Sequence, residues 1–145
     1  MTKRERFEGI KYNLATVGFY HGRSHKVFVY YSKKGTLYDF DDHGNSELFL
    51  DYNFERREVS ILQLYLEILR FQNPKMSEDT CMLIAIREID SRSIEEMAAL
   101  LKMKPSDYEE LEAGTHGFNK KFTREDYCKI LGLSMEEERL WMKMM

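Results

Sequence analysis

Apolar and polar positions follow two different rhythms along this chain. From Leu14 to about Leu50 the apolar residues come in short runs rich in aromatic and β-branched types: LATVGFYH, KVFVYY, TLYDF and ELFL. They are separated by HGRSH, SKKG and DDHGNS, which carry the Gly, Asn, Asp and Ser that tight turns require. This pattern predicts an antiparallel meander of three or four strands. A sheet that small needs cover on one face. SILQLYLEILRFQN supplies a helix for it, with Ser60 as N-cap and Ile61, Leu64, Tyr65, Ile68 and Leu69 recurring at helical spacing.

Beyond Pro74 the rhythm is helical throughout, and NPKMSED marks the boundary between the two halves. Ser77 followed by Glu78 and Asp79 starts the first helix of the second half, with its acids placed well for the helix dipole. The predicted helices run over 78–90, 94–102, 105–113, 123–131 and 135–144. Ser93 with Glu96, and Ser134 with Glu137, have the spacing of capping boxes. The expected architecture is α+β, with residues 1–75 forming a small sheet plus covering helix and residues 76–145 forming a five-helix domain.

Within SIEEMAALLKMKPSDYEELEAG the spacing predicts two helices clamped across a tight turn. Met97 and Leu101, with Ile94 one turn earlier, face inward from the first helix. Ala98 sits where the helices cross and lets their backbones approach. Met103 plugs the turn, Tyr108 and Leu111 face inward from the second helix, and Gly114 supplies the positive φ that stops it.

Here the chain resembles the XRE family of phage-repressor-like helix-turn-helix domains. The resemblance rests on Glu95-Glu96-Met97-Ala98, on Glu112-Ala113-Gly114 at gapless spacing, and on Ile130-Leu131-Gly132-Leu133-Ser134 before Glu136 and Glu137. It covers about residues 79–145. It implies a five-helix domain whose second motif helix, 105–113, enters the DNA major groove. The implied DNA contacts are Ser106 and Asp107 nearest the bases, with Lys104, Lys120, Lys121 and Arg124 on phosphates. It further implies a transcriptional regulator, encoded by a phage or mobile element, that dimerises on double-stranded DNA.

The departures fall on the functional positions. The family has Gly opening the turn and a polar residue, often Gln, starting the first motif helix. This chain has Lys102 and Ile94 there. The second helix begins Pro105, Ser106, Asp107 and continues with Glu109 and Glu110. Pro and Asp suit a helix start, but carboxylates near phosphates are repelled and at best accept from cytosine N4.

Charge sharpens this. The net charge is −3. Residues 1–75 carry 12 Lys/Arg against 10 Asp/Glu, or +2, and residues 76–145 carry 10 against 15, or −5. The half that resembles a DNA reader is therefore the acidic half. The alternative expectation is a protein-binding module in which Asp107, Glu109, Glu110 and Glu112 engage a basic, nucleic-acid-handling protein. An inhibitor of host defence, of the anti-CRISPR type, is one form of it.

Other candidate chemistry weakens on inspection. Asp39, Asp41, His43 and Gly44 occupy calcium-loop positions, but the twelfth position is Leu50 rather than Glu and the flanks read as strands, so a hairpin turn is the expectation. His21, His25, His43 and His116 show no metal-ligand spacing with Cys81 and Cys128, which read as reduced core thiols. No phosphate loop or nucleophile elbow appears, so no enzyme, cofactor or metal is expected. The start, MTKRERFEG, has charge without an apolar run, and no run approaches the roughly 20 residues that span a membrane. A cytoplasmic protein with no membrane partner is expected.

Two apolar surfaces remain. The first half is rich in aromatics (Phe19, Tyr20, Phe28, Tyr30, Tyr31, Tyr38, Phe40, Phe49, Tyr52 and Phe54), and strand alternation places them on both faces. The last helix carries Leu140, Trp141, Met144 and Met145, a stripe that packs on the bundle or forms a homodimer.

Overall fold

A computed structural model describes residues 2–42, 53–114 and 124–143, without the side chains of Arg124 and Lys143. It is a mixed α+β structure. Among the described residues it has seven helices and one three-stranded antiparallel sheet: α1 Lys3–His21, β1 Lys26–Ser32, β2 Leu37–Asp41, β3 Phe54–Ser60, α2 Ile61–Gln72, α3 Glu78–Ile89, α4 Ile94–Leu100, α5 Pro105–Ala113, α6 Arg124–Leu131 and α7 Met135–Lys143.

The first expected strand, LATVGFYH, is instead the second half of helix α1. Phe7, Ile10, Leu14 and Gly18 form its buried stripe at helical spacing, and the Thr2 hydroxyl caps its start by accepting from the Glu5 backbone N–H at 3.1 Å. Tyr12, Phe19 and Tyr20 lie on the opposite face in solvent. Apolar residues on both sides of the helix blur its period, and a short window then looks like a strand.

The sheet order is β2-β1-β3, so it is not a meander: β1, not β2, is central. The cause is composition. β1 (KVFVYYS) buries Val27, Val29 and Tyr31 on one face and Tyr30 on the other, and a strand buried on both faces belongs in the middle. β3 (FERREVS) escapes the strand pattern because it is a charged strand, paired among the described residues on one side, to β1. The stretch ELFL lies outside the described residues.

Helices α1 and α2 share the cover of the inner sheet face. Arg6 of α1 donates to the Leu37 carbonyl of β2 at 3.1 Å, and Tyr31 of β1 donates to Glu67 of α2 at 2.8 Å. Ser60 caps α2 through the Gln63 N–H, as expected. The next two backbone donors, Ile61 and Leu62, find the carbonyls of His25 and Arg23, which fixes α2 to the start of β1.

α3 then packs on α1 and α2. At Gly18 an added Cβ would sit 2.6 Å from Cγ2 of Ile89 and 3.0 Å from Cγ2 of Ile61, so α1 crosses there with no room for a side chain. One continuous buried cluster runs from Phe7 to Trp141, and Trp141 of α7 donates to Asp79 of α3 at 2.7 Å. The other helix bounds lie within two residues of expectation. α4 stops at Leu100 rather than 102, because the chain enters the left-handed region at Lys102.

Candidate interface on the α4–α5 corner

The corner is built from its caps inward. Ser93 and Glu96 form a reciprocal capping box at the start of α4. At its end, the Met103 N–H reaches the Ala98 carbonyl at 3.0 Å and the Lys102 N–H the Ala99 carbonyl at 3.2 Å. That is a Schellman motif with Lys102, at φ 55°, in the position usually given to Gly. α3 ends the same way around Ser91, at φ 56°. Pro105 opens α5, and Gly114, at φ 74°, closes it.

The inward residues are those the spacing predicts. Met97, Ala98, Leu101, Tyr108 and Leu111 are buried, with Ile94 and Met103 packed against them. α3 holds α5 at two points. The Thr80 hydroxyl donates to the Leu111 carbonyl at 3.2 Å, and Arg87 grips Glu112 through Nε at 2.6 Å and Nη2 at 3.0 Å. Burial works to lower the Arg87 pKa, but the hydrogen bond and charge of Glu112 outweigh it and hold the guanidinium above its ordinary value. Burial, followed by the Glu112 carboxylate beside it, pushes the Tyr108 phenol well up.

The candidate residues therefore separate. Glu112 faces α3 in a bidentate ion pair with Arg87, its side chain 13% exposed. Lys104, Ser106, Asp107 and Glu109 are exposed, and Glu110 is half-exposed. Glu95 and Glu96 of α4 are also exposed, as is Lys102. Lys120 and Lys121 lie outside the described residues, and of Arg124 only its place at the start of α6 is described. Residues 93–114 carry six Asp/Glu against two Lys. Setting aside Glu112, five carboxylates meet two ammonium groups on this surface.

The remaining candidates resolve as follows. Asp39 and Asp41 are strand residues of β2, and Asp41 accepts from the Tyr30 hydroxyl at 2.6 Å. His43, Gly44, Leu50, Phe49, Tyr52 and His116 fall outside the described residues. Among the described residues no three His, Cys, Asp or Glu side chains gather as a metal site. The His21 and His25 rings stack at 4.7 Å, and His25 Nε2 lies 2.5 Å from Asp42. Burial, and then nearby carboxylates led by Glu138, push the Cys128 thiol up to about 11, and burial raises Cys81 as well. Both are packed thiols rather than reactive ones. No helix among the described residues is long and apolar enough to cross a membrane.

Sequence reasoning missed the long-range anchors. Arg23, read only as part of a turn, donates to Asp90 at 2.6 Å and to Glu137 at 2.7 Å, joining the α1–β1 connection to α3 and α7. Lys26 of β1 pairs with Glu136 beside it. Glu137 also completes the α7 capping box, accepting from the Ser134 N–H at 3.0 Å. The only local signal was the capping box, which marks Glu137 as placed but not its distant partner. No family model, curated protein or solved structure matches the chain.

Proposed function

We propose that α3–α7 form an XRE-like helix-turn-helix scaffold whose acidic α4–α5 corner binds a basic, nucleic-acid-handling protein. The observation that carries this reading is the exposed carboxylate surface of Glu95, Glu96, Asp107 and Glu109, with Glu110 beside them. Such a surface repels phosphates and complements an Arg/Lys-lined groove that itself binds nucleic acid. Arg87 contributes by holding Glu112, which keeps α5 at a fixed angle.

The second reading is a DNA-binding regulator. It is favoured by exposed Lys102 and Lys104 flanking the turn and by exposed Ser106 at the start of α5, with Lys120, Lys121 and Arg124 as further phosphate contacts. Titrating random duplex DNA at rising salt separates the two. A DNA reader gives a log–log slope of about −0.9 per phosphate contact. The acidic scaffold gives no binding at low salt and competes with DNA for its basic partner, and Glu109→Lys with Glu110→Lys abolishes that competition. Salt-sensitive DNA binding that Lys104→Glu removes would decide for the regulator.

A further inference from the structure

We draw no further inference here: the strongest candidate, the exposed aromatic face of α1 formed by Tyr12, Phe19 and Tyr20 beside the groove between α1 and α3, carries nothing because nothing in the structure shows what covers it.

Discussion

Arg87 and Arg23 both anchor helices of the C-terminal half, Arg87 through two hydrogen bonds to one carboxylate and Arg23 through one bond to each of two. Arg87 spans 25 residues and sets α5 against α3. Arg23 spans 114 residues to Glu137 and sets α7 against the connection between α1 and β1. Losing Arg87 strands one half-buried carboxylate, whereas losing Arg23 strips Glu137 of its cation and leaves Asp90 to Arg92 alone, at 3.3 Å. Asp90 shows that such pairing is not free: burial pushes its carboxyl up, against the pull of Arg23 and Arg92. The difference teaches that one clamp orients a surface while the other holds the molecule's distant ends together.

Removing the arginines breaks the comparison most directly. Arg23→Ala is expected to cost about 3 kcal/mol, because deleting one partner of a buried pair leaves uncompensated charge. Arg87→Ala is expected to cost about 2 kcal/mol, and a cycle with Glu112→Ala should return a coupling of about 1 kcal/mol. Urea unfolding reads both. Equal costs for the two arginines would mean that the second carboxylate on Arg23 contributes nothing.

An alkaline titration sharpens the contrast between sheet and corner. Burial, with the Asp41 hydrogen bond next, pushes the Tyr30 phenol up to about 12. Burial likewise raises Tyr31, Tyr65, Tyr108 and Tyr127. Each folded-state pKa exceeds its unfolded value, so the unfolded chain releases these protons first. Their contribution is fully present below about pH 10 and is lost as pH rises, through about 12 for Tyr30. Tyrosinate absorbance from these five should therefore appear together with unfolding. A gradual rise in the folded chain would show that they are accessible.

The smallest effect concerns the helix ends. Lys102 and Ser91 hold left-handed backbone that glycine adopts without steric cost. Lys102→Gly and Ser91→Gly should each stabilise by up to about 1 kcal/mol, measured as a shift in Tm. The Lys102 variant leaves the carboxylate surface intact.

Legibility in the sequence followed the range of the interactions. α2 was readable because Ser60 caps it and its buried positions, Ile61, Leu64, Tyr65, Ile68 and Leu69, repeat within one helix. The inward residues of α4 and α5 were readable for the same reason, as were their caps at Ser93, Pro105 and Gly114. α1 was not, since Tyr12, Phe19 and Tyr20 face outward and hide the stripe of Phe7, Ile10 and Leu14. β3 was not, because its partner β1 supplies the apolar half of their pairing. On the corner, the carboxylates could be listed from the sequence, but not that Glu112 turns to Arg87. No local pattern links positions so far apart.

One consequence follows from the sheet's order. β3 turns a single side to β1 among the described residues, and its side chains read Glu55, Arg56, Arg57, Glu58, with Glu55 and Arg57 paired at 3.1 Å. Charge of both signs along an outer strand discourages recruitment of a neighbouring chain into a growing fibril. Uncharging this strand, with no change to any helix, is expected to raise the chain's tendency to aggregate, read as increased light scattering.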